Sequence, residues 1–386
     1  MSSVALTNIA TLVTNSAALG DGLLGLSAMK TLVIEDGKVA ALSDRVPEGV
    51  DEVVDCSGKT VLPGFVDSHT HLVFAGDRSA EFAARSRGEK YSAGGIKTTV
   101  AATRAASDAE LTRNAQALLD EALAQGTTTV EIKSGYGLTL RDELRSLDIA
   151  SAFTDETTLL AAHVIPEEFA SNPDGYVDLI VKEIIPASSA KWIDVFCDRG
   201  AFSAEQSEAI LRAGVAHGMI PRIHANQLEA GNGVQLAVSL NAASADHLSK
   251  STAADIELLA SSSTVATLLP GAEFSTHLAP NLGRKFLDAG ATVAIASDCN
   301  PGSSYTTNMP FIIAIAVREM HFSPEQALWS ATLGGAKALL RSDVGHLSEG
   351  ASADFTILKS DSYLHLAYRP GVNLVEQVWR NGNQVS

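Results

Sequence analysis

The sequence predicts a (β/α)8 TIM barrel joined to a small composite β-sandwich domain built from the N- and C-terminal segments. Three observations carry the prediction. Eight apolar runs in the middle of the chain alternate with helical stretches, half of the ten histidines sit at the ends of those runs, and both chain ends read as β-hairpins. At 386 residues the chain can hold one large barrel with additions.

Taken in order, residues 30–43 (KTLVIEDGKVAALS) are two apolar runs around Asp36-Gly37, a hairpin signal. The barrel strands are expected at FVDSHTHL (65–72), TTTVEIKS (127–134), LLAAHVI (159–165), WIDVFCD (192–198), IPRIHAN (220–226), AASADHL (242–248), TVATLLP (264–270) and TVAIASD (292–298). They are rich in Val, Ile, Leu and Ala, as strands buried on both faces should be. Between them, Ser107-x-x-Glu110 predicts a capping box opening a helix that stops at Gly126. Ser203-x-x-Gln206 opens another that stops at Gly218, and Ser323-Pro324-Glu325-Gln326 opens a third with Pro at its first position. ADFTIL (353–358) and VWRNGNQV, with Asn381-Gly382 as its turn, predict strands near the C-terminus. The expected domains are therefore residues 61–345 as the barrel, with 1–60 and 346–386 forming one β-rich unit. The competing fold is a doubly wound open sheet. It is disfavoured because no glycine-rich phosphate loop follows the first strand.

Composition narrows the partners. The net charge of −17 repels nucleic acid and anionic membrane surfaces, so neither is expected as a partner. Cys56, Cys197 and Cys299 form no CxxC and are odd in number, which fits a reducing, cytoplasmic setting rather than a disulfide framework. No basic residue precedes Lys30, unlike a signal peptide, and the mildly apolar stretch from Ala18 to Met29 is too short to span a bilayer.

Catalytic groups of such a barrel gather at the C-terminal ends of its strands. Those ends carry His69, His71, Lys133, His163, Asp198, His224, His247 and Asp298. Residues i and i+2 of a strand share a side, so His69 and His71 can share one metal. His224 ends the fifth strand and Asp298 the eighth. Each alone reads as a core histidine or a turn residue, but three histidines and a carboxylate together suit zinc or a similar borderline metal. The fourth strand ends in Phe196-Cys197-Asp198, with no Lys or Glu to bridge a second metal, so a single metal is expected. His247 reads equally as a core histidine or as a group that polarises a carbonyl or moves a proton.

The segments PGFVDSHTHLVFAGDR (63–78), TRAAS (103–107), TTTVEIKSGYGL (127–138), AAHVIPEEF (161–169), IHANQ (223–227), SADHL (244–248) and ASDCNPGSS (296–304) occur in this order over nearly the whole chain. They resemble the imidazolonepropionase family of the amidohydrolase superfamily. The resemblance implies hydrolytic ring opening of 4-imidazolone-5-propanoate to N-formimidoyl-L-glutamate, one Zn2+ or Fe3+ per chain, and a homodimer. It implies His69, His71, His224 and Asp298 as metal ligands and Arg78 as the arginine that holds the propionate. Tyr136, His163 and, more weakly, Tyr91 match substrate contacts, and Asn300, Gly302 and Ser303 match the loop over the substrate. Gln227 stands where a related motif has a Glu, a candidate base, and Gln cannot take a proton. Proton transfer then falls to Asp298, polarisation of the carbonyl to His247, and substrate orientation to Gln227. The chemistry agrees: a metal lowers the pKa of water from 15.7 to about 7, and a guanidinium pairs bidentately with a carboxylate. The rival readings are another mononuclear amidohydrolase, such as a nucleobase deaminase, and a non-catalytic relative of the barrel.

Overall fold

The computed structural model describes residues 3–88, 95–277 and 283–386. Asp36 and Gly37 have φ of 49° and 77°, the two positive values that a tight two-residue hairpin turn needs between Thr31–Glu35 and Lys38–Ser43. Asn381 and Gly382 repeat the device at 49° and 71° between Val375–Arg380 and Asn383–Gln384. The first hairpin belongs to a four-stranded sheet, completed by Ser3–Thr7 and Glu52–Asp55. The second belongs to a six-stranded sheet in which Phe355–Leu358 pairs with Thr60–Pro63, so both ends of the chain share one sheet. Leu6, Leu12, Leu32, Ile34, Val61, Phe355, Ile357 and Trp379 form one apolar cluster between these strands. Terminal pairing therefore extends through Pro63, and the barrel begins at Phe65.

We label the barrel strands β1 (Phe65–Asp67), β2 (Thr127–Val130, continued by Ile132–Lys133), β3 (Thr157–Ala162), β4 (Trp192–Cys197), β5 (Ile220–Pro221 and Ile223–Ala225), β6 (Ser244–His247), β7 (Val265–Leu268) and β8 (Val293–Ile295). Neighbours pair in parallel from β1 to β2 and from the Ile132–Lys133 part of β2 through β8. The two halves of β2 flank Glu131, whose N–H reaches the Asp67 carbonyl at 3.0 Å. Beyond β8 the chain returns to the continuation of β1: Asp298 N–H donates to the His69 carbonyl and His71 N–H to the Cys299 carbonyl, each at 3.0 Å. The result is a (β/α)8-like barrel. An open doubly wound sheet would leave β1 and β8 apart.

The helices start as the sequence expects, with one difference. Ser203 and Ser323 close full capping boxes with Gln206 and Gln326. Ser107 caps only through its hydroxyl, which accepts from Glu110 N–H at 3.2 Å without the reciprocal bond that completes a box. The helix begun at Pro324 passes through a π-turn at Ser330–Gly334 before ending at Ala338. Among the described residues no helix is long and apolar enough to cross a membrane. All three cysteines are buried and unpaired.

Candidate metal centre

The backbone sets the donors. The extended segment after β1 aims two imidazoles the same way, and His71 Nε2 lies 3.3 Å from His69 Nε2. Asp298, at φ 51°, turns its carboxylate toward them; Oδ1 is 3.5 Å from His69 Nε2 and 3.4 Å from His71 Nε2. His224, on β5, completes a group whose nitrogens all lie within 4.8 Å, and its Nε2 is buried with no hydrogen-bond partner. Ligand atoms about 2.0–2.1 Å from a tetrahedral zinc sit about 3.3 Å from one another, so this spacing fits a single ion.

The distal ring atoms explain which nitrogen faces inward. His69 Nδ1 is 2.7 Å from Asp246 Oδ2, and His224 Nδ1 is 3.0 Å from Asp194 Oδ2. A carboxylate takes each Nδ1–H and leaves each Nε2 as a lone-pair donor. Both carboxylates are backed by buried cations: Lys133 lies 3.0 Å from Asp194 and 2.9 Å from Glu131, and Arg222 lies 3.4 Å from Asp246. Burial alone would push Asp194 up, but His224 and Lys133 hold its carboxyl well below the ordinary range. Burial drives His69, His71 and His163 well below the usual imidazole value, so their rings are neutral and can coordinate.

The expected substrate contacts converge on the same place. His71, Arg78, Tyr136, His163, His224, Gln227, His247, Asp298, Asn300 and Ser303 line one small pocket of about 50 Å³. That pocket shares Ile96 and Val164 with a wider cavity of about 510 Å³. His163 Nδ1 is 3.0 Å from the Gly135 carbonyl, so that nitrogen carries the proton and Nε2 is an acceptor. Burial lowers His247 to about 3. Tyr91 lies outside the described residues.

Several residues sit differently from expectation. The second oxygen of Asp298 already accepts one hydrogen bond, from Ser303 Oγ at 3.2 Å from Oδ2, which leaves it one lone pair. Asn300 spends its amide on its own loop, with Nδ2 donating to the Asp298 carbonyl and to Ser303 Oγ, and Oδ1 accepting from Gly302 N–H and Ser303 N–H. Gly302 contributes its carbonyl to Arg85 rather than lining the pocket. Arg78 is buried and already bonded to Glu81. Asp198 and Lys133 stay outside the pocket, Asp198 accepting from the N–H groups of Gln227 and Leu228 at 2.7 and 2.8 Å. Sequence reading missed Asp194, Asp246, Arg222 and Glu131. Their signal was present: each is a charge inside or beside a run that is otherwise apolar, where burial demands a partner.

Such a barrel, with three histidines and an aspartate gathered at its strand ends, is the frame of a metal-dependent hydrolase, and comparison with known proteins agrees. Two models described as the amidohydrolase family match residues 52–136 and 200–385. An imidazolonepropionase of Mycolicibacterium smegmatis is 57% identical over 389 residues, covering 100% of this chain and 98% of its own. One from Salinispora arenicola is 58% identical over 387 residues, covering 99% and 98%. The chain belongs to the imidazolonepropionase family and is a hydrolase. Among solved structures, a triazine hydrolase variant aligns at TM-score 0.74 and 17% identity, covering 99% of this chain and 94% of that one. A guanine deaminase from C. acetobutylicum aligns at 0.72 and 15%, covering 100% of both. These distant likenesses support the fold.

Proposed function

We propose that the chain opens the ring of 4-imidazolone-5-propanoate to give N-formimidoyl-L-glutamate, using one Zn2+ or Fe3+ held by His69, His71, His224 and Asp298. One observation carries this reading: three of the four donor residues, His71, His224 and Asp298, line one pocket with a buried arginine suited to a carboxylate-bearing small molecule, and His69 lies directly against them. When bound, the metal supplies a water acidic enough to attack a lactam carbonyl at neutral pH.

The chain's own groups do the rest. Asp298 Oδ2 takes the water proton and returns it to the ring nitrogen as the carbon–nitrogen bond breaks. Ser303 orients this carboxylate: Asn300 Nδ2 occupies its oxygen at 2.8 Å and leaves its O–H to donate to Oδ2, whose other lone pair takes the proton. His247, neutral at pH 7, donates an N–H toward the developing oxyanion. His163 Nε2 accepts a ring N–H, Tyr136 packs beside it at a ring separation of 5.4 Å, and Gln227 orients the substrate through its amide. Arg78 binds the propionate, with Gly302 close against it.

The same reading makes residues 61–345 the catalytic domain, 1–60 and 346–386 a composite β-sandwich, and the enzyme a cytoplasmic homodimer. The test is turnover of 4-imidazolone-5-propanoate, followed by loss of its ultraviolet absorbance. Product that is not N-formimidoyl-L-glutamate rejects the assignment.

A further inference from the structure

Behind Arg78 at the pocket wall, Glu81 and Arg85 complete a clamp, and neither of these two has a role above. Glu81, in the helix Ser79–Ser86, accepts from Arg78 Nε at 2.8 Å and from Arg78 Nη2 at 2.9 Å. Its Oε1 also accepts from Arg85 Nη1 at 3.1 Å, and that same nitrogen donates to the Gly302 carbonyl at 2.8 Å. Backbone closes on the pair from two sides. A Cβ on Gly95 would lie 2.0 Å from Glu81 Oε2, and one on Gly302 would lie 2.2 Å from Arg78 Nη1. At either position a Cβ would force these side-chain ends to shift, so glycine lets the backbone close on them.

We infer that Glu81 and Arg85 are positioning residues that set the enzyme's preference for a carboxylate-bearing substrate. Glu81 occupies the Nε and Nη2 edge of the Arg78 guanidinium and so leaves Nη1 for the incoming carboxylate. A planar fork fixed on one edge cannot swing its other edge away, so the substrate meets an arginine already ordered. Arg85 ties this unit to Gly302. That loop also carries Asn300 and Ser303, which bond Asp298. Recognition of the carboxylate is thereby joined mechanically to the loop that orients the metal-binding aspartate. The inference rests on Arg78 as the carboxylate's partner.

The experiment compares two substrates, the propanoate and its neutral propanamide analogue, across four variants at equal metal content: Arg78→Met, Glu81→Gln, Glu81→Asp and Arg85→Lys. Glu81→Gln should raise KM for the propanoate about tenfold or more, a change of one decade in affinity, while kcat stays within about threefold. Its kcat/KM on the propanamide should stay near that of the unaltered enzyme. Glu81→Asp keeps the charge and should fall between the two, which also covers the case in which Glu81→Gln folds poorly. Arg85→Lys should raise KM for the propanoate and lower kcat on both substrates, because the tie to Gly302 loosens. If Glu81→Gln weakens both substrates equally, Glu81 is merely structural and the inference is overturned. If Arg78→Met raises KM for the propanoate and Glu81→Gln does not, the clamp alone is overturned. If Arg78→Met leaves that KM unchanged, the role of Arg78 is lost and the clamp with it.

Discussion

His224 holds the residue-scale logic in one ring. Its Nδ1–H meets Asp194 and its Nε2 is buried without a partner, so the side chain is satisfied only when something accepts the Nε2 lone pair. His224→Ala and Asp298→Asn should therefore each remove the metal or nearly all activity, which elemental analysis beside a turnover assay will read. Retained metal with full activity in either variant would contradict the donor set. The proton route makes a second, asymmetric demand. Gln227→Glu should leave kcat/KM within about tenfold, since the amide only orients the substrate. His247→Asn should lower it roughly 10²-fold or more, the usual scale for an acid–base or oxyanion partner. A larger loss from Gln227→Ala than from His247→Asn would give the amide a chemical role.

At the scale of elements, the barrel strands do two tasks with one backbone. Their apolar faces build the core, while Glu131, Lys133, Asp194, Arg222 and Asp246 form a buried charged layer among the metal-binding histidines. The eight apolar runs made the strands legible in the sequence, and the histidines at their ends made the donors legible. The charged layer was not legible as a network, because pairing across β2, β4, β5 and β6 depends on barrel register, which no local pattern encodes. The Arg78–Glu81 contact was hidden differently: an i, i+3 pair at a helix start looks like a solvated surface pair until burial is known. Lys133→Met strands two carboxylates in the barrel. It should cost about 3–5 kcal/mol in a urea melt, the scale for breaking a buried ion pair. It should also weaken metal binding about 10- to 100-fold by loosening Asp194 on His224. Unchanged stability together with unchanged metal affinity would show that the layer is inert.

Across the whole molecule, the barrel and the terminal sheets are joined by a polar link. Arg341 bonds Asp343 at 2.6 and 2.7 Å and reaches Glu156, just ahead of β3, at 3.2 Å. Ser352 N–H donates to the Asp343 carbonyl as the chain enters the last strands. The Arg341 guanidinium holds the Asp343 carboxyl below its ordinary value of 3.8. A lowered carboxylate contributes stability above that ordinary value and loses it as pH falls through the lowered one. Asp343→Asn should thus lower the melting temperature at pH 6, and the gap to the unaltered protein should shrink below pH 3.8. A gap that persists or widens in acid would assign the effect to packing. Half-exposure keeps it small. The two terminal hairpins were readable from Asp36-Gly37 and Asn381-Gly382, although they lie in different sheets. The extension of the six-stranded sheet to Pro63 was not, because Val61-Leu62 and Phe65-Val66 are equally apolar and only Pro63-Gly64 separates the sheet strand from the barrel strand. The central claim, one metal driving ring opening, is tested most directly by titrating metal-stripped protein with Zn2+ or Fe2+ in air while following 4-imidazolone-5-propanoate. Activity should rise linearly and saturate at one metal per chain, with N-formimidoyl-L-glutamate as product and guanine untouched. Saturation at two metals per chain, or a fully loaded enzyme that leaves the imidazolone intact, would contradict it.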